Sequence, residues 1–88
     1  MAITEQDFED IVEDVCDYLI VNNPYLKDYY TSGFTVTLKY DSRSHKTRYT
    51  CDMTFDPETG AVDYYNAYGD TLLIGIASDI TNGIKNYL

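Results

Sequence analysis

The sequence predicts a single α+β domain in which a three-stranded antiparallel sheet is covered on one face by two helices, in the order α-β-β-β-α. Apolar residues recur at spacings of three and four in residues 4–21 and 71–88, which is typical of amphipathic helices. They alternate with polar residues through much of 33–68, which is typical of half-buried strands. A length of 88 residues fits one domain, residues 1–88, because two cores in this chain would each be very small.

The first helix is predicted to begin at Thr4, because Thr4 and Asp7 form the T-x-x-D pattern of a capping box. Its apolar stripe consists of Phe8, Ile11, Val12, Val15, Cys16, Leu19 and Ile20. Acidic residues cover the rest of the circumference, so we expect the stripe to be buried and the carboxylates to face water. Pro24 ends the helix, since a residue before proline avoids the α region.

Alternation predicts the first two strands at residues 34–40 and 49–55, with a polar loop at 41–46 between them. Their inward positions are Phe34, Val36, Leu38, Tyr40, Tyr49, Cys51, Met53 and Phe55. Residues 25–32 are predicted to be a connection with room for one more helical turn.

The segment 56–60, D-P-E-T-G, is the strongest turn signal in the chain, because proline suits the first turn position and glycine a left-handed one. It predicts a third strand over residues 61–68. Asp70 or Thr71 is expected to cap the last helix. The apolar stripe of that helix consists of Leu73, Ile76, Ala77, Ile80, Ile84 and Tyr87.

The composition is strongly acidic, with 15 Asp and Glu against 6 Lys and Arg and a net charge of −9. This charge repels phosphate backbones and anionic lipids, so we expect no direct nucleic-acid binding and no membrane binding. The chain lacks a signal-peptide pattern and a long apolar run, and we expect a cytoplasmic protein. Cys16 and Cys51 both occupy inward positions, which indicates reduced core thiols, with a single helix-to-sheet disulfide as the alternative.

The acidic charge is unevenly distributed. Residues 1–32 hold eight acids and one lysine, for a net charge of −7, whereas residues 33–55 carry +2 and residues 56–88 carry −4. The acidic first helix and the tyrosines that are hardest to bury are the candidate partner-binding residues. These residues are Glu9, Glu13, Asp17, Tyr25, Tyr29, Tyr30, Tyr65 and Tyr68. The alternatives are a solvated helix face that keeps the protein soluble, and cation binding.

A basic cluster occupies the predicted hairpin loop, with Arg43, His45, Lys46 and Arg48 within six residues. It is either an exposed loop that balances nearby acids or a contact for phosphate or carboxylate groups, including those of a second copy. His45 is the only histidine, and no nucleophile, phosphate-loop or zinc motif is present in the sequence. We therefore expect no enzymatic activity, no cofactor and no metal site.

Three resemblances bear on function. The element order is shared with double-stranded-RNA-binding domains, but residues 70–74 lack the lysines that begin the last helix of that family. Residues 49–65 resemble the hairpin of PepSY-type domains. In size, charge and layout the chain is similar to small phage-encoded inhibitors such as DNA-mimicking anti-CRISPR proteins, which implies a bacterial or phage origin.

These observations favour a small acidic interaction module, without enzymatic activity, that engages a protein partner with a basic surface as an inhibitor or nucleic-acid mimic. One alternative is a homodimeric structural protein that associates through its sheet. Another is a domain that binds a small ligand or a cation.

Overall fold

The computed structural model describes residues 3–88 and confirms the α+β class, with a helix at each end of an antiparallel sheet. The elements are α1 Glu5–Asn22, β1 Leu26–Ser32, β2 Thr35–Asp41, β3 Arg48–Phe55, β4 Val62–Asp63 and α2 Thr71–Lys85. The strands lie in the order β1-β2-β3-β4, so each strand pairs with the next one in the chain. The sheet is therefore a meander of four strands, one more than predicted.

The additional strand is β1, in the segment that was predicted to be a connection. It pairs antiparallel with β2, so that Tyr29 lies opposite Leu38. A β-bulge between Leu26 and Asp28 shifts the register, and the inward residues Leu26 and Tyr29 are consequently three positions apart. This bulge interrupts the period of two that identifies a strand in a sequence.

The strands β2 and β3 match the predicted ones closely, and their alternation places one set of side chains in the core. Val36, Leu38, Tyr40, Cys51, Met53 and Phe55 are all buried. The strand β4 is much shorter than the predicted 61–68 and contains only Val62 and Asp63. After it, the Asn66 side chain bonds both the N–H and the C=O of Asp70 and closes a turn that leads into α2.

The helix α1 begins with the predicted capping box, in which Thr4 Oγ1 accepts from the Asp7 amide and Asp7 Oδ2 accepts from the Thr4 amide, each at 3.1 Å. Its buried residues are Phe8, Ile11, Val12 and Cys16. Ile20 was predicted to be buried but is 38% exposed, because it borders an open groove beside β1.

The core lies between the two helices and one face of the sheet. The Phe8 ring of α1 packs against Phe34 and Phe55, with ring centroids 5.6 and 5.5 Å apart. The helix α2 buries Leu73, Ile76, Ala77, Ile80 and Ile84. Tyr87 was predicted to belong to this buried stripe, but it is 50% exposed because it follows the end of α2.

Cys16 and Cys51 are both buried free thiols. Burial raises the pKa of Cys16 to about 12 and that of Cys51 to about 11. At neutral pH both residues are therefore thiols rather than nucleophilic thiolates. Neither helix in the described part of the chain is long and apolar enough to cross a bilayer.

Two glycines of α2 are expected to respond oppositely to alanine. A Cβ on Gly83 would lie 2.6 Å from Cγ2 of Ile11, a stiff buried side chain of α1, whereas a Cβ on Gly75 would meet nothing within 4 Å. We expect Gly75→Ala to raise the free energy of unfolding by about 1 kcal/mol through helix propensity. Gly83→Ala should lower it by about 1 to 2 kcal/mol through overpacking.

Urea unfolding of both variants and the wild type measures this difference. A Gly83→Ala protein as stable as Gly75→Ala would show that α1 and α2 do not pack as closely as the structure indicates.

Candidate functional site

The main candidate site is a groove of about 550 Å³ between α1 and the edge strand β1, which we call the acidic groove. Its lining residues are Glu9, Glu13, Asp17, Ile20, Asp28, Tyr29, Tyr30 and Thr31. Four of these eight residues are acids, and none of the described residues that line the groove is basic. The groove is therefore an anionic surface with aromatic side chains at one wall.

The α1 wall of the groove follows directly from the burial of the helix. Phe8, Val12 and Cys16 are buried at spacings of four, so the residue after each of them is rotated by about 100° toward the rim of the core. Those next residues are Glu9, Glu13 and Asp17. Their carboxylates consequently form one row along the helix, on the side that faces β1.

The β1 wall is joined to this row by a hydrogen bond between two side chains. The Tyr29 hydroxyl donates to Oδ1 of Asp17, and the ring of Tyr29 packs against the core. Burial, together with this hydrogen bond and the charge of Asp17, raises the pKa of Tyr29 well above its ordinary value. Tyr29 is therefore a permanent donor at neutral pH and holds the Asp17 carboxylate at the groove.

The carboxylates of α1 repel one another. Desolvation, followed by the charges of Glu9, Asp10, Asp17 and Asp14, raises the pKa of Glu13. Lys27, the only basic residue of residues 1–32, lies 3.8 Å from Asp41 of β2 and does not line the groove. None of the described lining residues therefore supplies a positive charge that would offset the negative potential of the groove.

Five of the eight predicted binding residues meet in the acidic groove: Glu9, Glu13, Asp17, Tyr29 and Tyr30. Sequence reasoning did not identify Asp28 and Thr31 as lining residues, since their position depends on the pairing of β1. It also missed Ile20, which it placed in the buried stripe of α1. The one available signal was the position of Asp28 next to two tyrosines.

The other three predicted residues lie elsewhere. Tyr25 lies beneath the Arg43 guanidinium, 5.5 Å from the ring centroid. Tyr68 accepts a hydrogen bond from the Tyr49 hydroxyl at 3.2 Å and stacks on His45 with centroids 3.7 Å apart. Tyr65 is 81% exposed and follows β4, which is the strand at the opposite edge of the sheet from β1. These three tyrosines therefore do not share a surface with the acidic groove.

The basic hairpin is partly engaged within the chain. Nε of Arg48 lies 2.7 Å from Oδ1 of Asp41, and this hydrogen bond is the main cause that lowers the pKa of Asp41. Arg43 and His45 contact the tyrosines named above. These contacts favour the interpretation of the hairpin as a locally balanced loop over an anion-binding site.

The remaining cavities offer less to a small ligand. A cavity of about 270 Å³ between α1 and α2 is lined by Leu19, Leu72 and Ile76, with Arg43 and Asp79 among its polar residues. This volume is just below the range of about 300 to 1,000 Å³ that is typical of ligand pockets. Within residues 3–88, no group of three or more His, Cys, Asp or Glu side chains is placed to hold a metal ion.

Comparison of the chain with protein-family models, with curated proteins and with solved structures gives no significant match. The function is therefore inferred from the geometry and charge of the site itself.

We expect the Glu13→Gln variant to unfold at a higher temperature than the wild type at neutral pH. Because the pKa of Glu13 is raised in the folded protein, the folded state favours the protonated form more than the unfolded state does. The resulting stabilisation is present below the ordinary pKa of 4.5 and is lost as the pH rises through the raised value. The glutamine side chain of the variant carries no charge and should restore this stabilisation at neutral pH. The difference in unfolding temperature between the variant and the wild type should therefore disappear below pH 4.5.

Thermal unfolding followed by circular dichroism across this pH range is the measurement. Glu58→Gln, in the turn between β3 and β4, is the matched control, because it removes an equal charge from a residue outside α1. Equal gains in the two variants would mean that the net charge, and not the crowding on α1, limits stability.

Proposed function

We propose that this chain is an interaction module without enzymatic activity, and that its acidic groove binds a basic surface of a protein partner. The observation that carries the proposal is the convergence of four carboxylates and two tyrosines from separate elements on one groove. A solvated helix face needs neither the tyrosines nor the second wall.

Electrostatics supports a cationic occupant. Desolvation and then repulsion by the neighbouring carboxylates disfavour the charged form of Glu13, and a lysine or arginine placed among these carboxylates would offset the repulsion. A field of one sign over a groove also accelerates association with an oppositely charged partner. Binding should weaken as salt is added, since Glu9, Glu13 and Asp17 are exposed and are screened at the salt concentrations found in cells.

The tyrosines supply contact area that charge alone does not. Tyr29 is held in place by Asp17 and the core, and Tyr30 is exposed on the opposite face of β1. Tyrosine is enriched at interfaces because it offers a large surface with few rotatable bonds. A partner that covers the edge of β1 would therefore contact both rings.

An acidic module of this kind acts as an inhibitor when the basic surface of its partner is a nucleic-acid site. The row of carboxylates would then occupy the positions of phosphates and exclude the nucleic acid. This form of the proposal requires competition between the protein and nucleic acid for the same partner. It fits a cytoplasmic protein of bacterial or phage origin.

The sheet face away from the helices offers less support for a homodimer. Four of its polar side chains are paired within the chain, with Thr37 Oγ1 donating to Asp52 at 2.7 Å and the hydroxyls of Thr35 and Thr54 2.9 Å apart. A dimer through this face would gain little from groups that already have partners. Sedimentation of the free protein as a monomer would exclude this alternative.

We expect the double variant Glu9→Lys, Glu13→Lys to bind a short oligolysine peptide at least about tenfold more weakly than the wild type, because two attractions become repulsions. The double variant Glu58→Lys, Asp63→Lys is the control. Each substitution of an acid by lysine raises the net charge by two, so the net charge of both double variants changes from −9 to −5. The control residues lie near β4, at the far side of the sheet from the acidic groove.

Titration calorimetry at low and physiological salt measures both affinities, and circular dichroism checks that both variants fold. Equal losses in the two variants would attribute binding to net charge and would overturn the acidic groove as the binding site.

A further inference from the structure

We propose that the partner enters the acidic groove as an extended strand that adds to the open edge of β1, with basic side chains at alternate positions facing α1. This inference rests on the proposed function and specifies the conformation and the residue pattern of the partner segment. Two features carry the inference. The edge of β1 can bond an added strand, and the carboxylates of α1 complement the basic side chains of that strand.

The strand β1 is terminal in the sheet, so one of its two edges has no partner strand within the described residues. In an antiparallel pair, every second residue bonds the neighbouring strand and the residues between them direct their N–H and C=O groups outward. Ser32 and Thr35 flank a two-residue turn and pair with each other, and Tyr30 pairs with Thr37. The outward residues are therefore Tyr29 and Thr31.

The position of Asp28 supports this assignment and limits the open edge. Its Oδ1 accepts a hydrogen bond from the Tyr29 amide at 2.8 Å, which accounts for one outward donor. The bulge between Leu26 and Asp28 makes the edge irregular at the beginning of the strand, and such bulges commonly protect edge strands from further pairing. The open edge thus consists of the Tyr29 carbonyl and both backbone groups of Thr31.

The helix runs alongside this edge. At the middle of β1 the Tyr29 hydroxyl bonds Asp17, and just after the end of β1 Oε1 of Glu5 lies 3.4 Å from the position of a Cβ on Gly33. The chain therefore reverses direction between α1 and β1, and the two elements lie antiparallel. An added strand would lie between β1 and the row of carboxylates.

The spacing of the carboxylates matches that of a strand. Glu9, Glu13 and Asp17 are four residues apart, which corresponds to a rise of about 6 Å along a helix for each step. Alternate side chains of a strand are about 6.5 Å apart on one face. Tyr29 and Thr31 point to the helical side of the sheet, so the same face of an added strand would direct its side chains toward α1. Lysine or arginine at alternate positions would meet successive acids.

The test uses a parent peptide of alternating lysine and threonine and two N-methylated forms of it. One form carries methyl groups on the lysine amides and the other on the threonine amides. A strand directs these two sets of amides to opposite edges, so only one form should lose the hydrogen bonds to β1. We expect one form to bind at least about tenfold more weakly than the parent and the other to bind like the parent.

A protein variant provides an independent readout. Thr31→Pro removes the outward N–H of Thr31 without removing a bond between β1 and β2, and proline is tolerated on edge strands. We expect this variant to retain its thermal unfolding temperature within a few degrees and to lose about tenfold in affinity for the parent peptide. If the variant does not fold, the methylated peptides still test the inference with the unmodified protein.

The possible results separate the two proposals. Equal binding of all three peptides, with binding still lost in the Glu9→Lys, Glu13→Lys variant, would overturn strand addition and leave the acidic groove as the site. Binding of the parent peptide that is unaffected by these charge reversals would overturn the proposed function itself.

Discussion

The burial of one face of α1 is the constraint on which the rest of the structure depends. Phe8 sits between Phe34 and Phe55, and Val12 and Cys16 continue the same contact along the helix. This contact fixes the rotation of α1 about its axis, and therefore the side on which its acids emerge. A rotation by one residue would turn the carboxylates of Glu9 and Glu13 either into the core or away from β1. Packing and the candidate function are thus set by the same few side chains.

The fold class was predictable because two periods are clear in the sequence, every three to four residues in the helices and every two in β2 and β3. The strand β1 was not predictable in this way, since its bulge places the inward residues Leu26 and Tyr29 out of step. An edge strand also has only one neighbour to enforce alternation. The third predicted strand was too long. The Asn66 side chain forms hydrogen bonds with the N–H and the C=O of Asp70, and these bonds turn the chain toward α2.

The candidate site was predictable in part for a related reason. A row of acids on an amphipathic helix follows from local spacing, and exposed tyrosines follow from their excess over what the core can hold. Which tyrosines lie next to the acids is a tertiary property. Tyr29 and Tyr30 join Asp17 only because β1 folds back along α1, whereas Tyr65 and Tyr68 end at the other side of the sheet. Asp28 joins the groove for the same reason.

The sequential order of the strands has a consequence for how the chain folds. Every pair of neighbouring strands is joined by a short turn or loop, so each closes with a small loss of chain entropy. The contact of Ile11 with Gly83 instead joins residues 72 positions apart along the chain and encloses the whole meander. Local hairpins speed folding, and a closure of this length slows it. We therefore expect the sheet to form early and the docking of α2 on α1 to complete the native state.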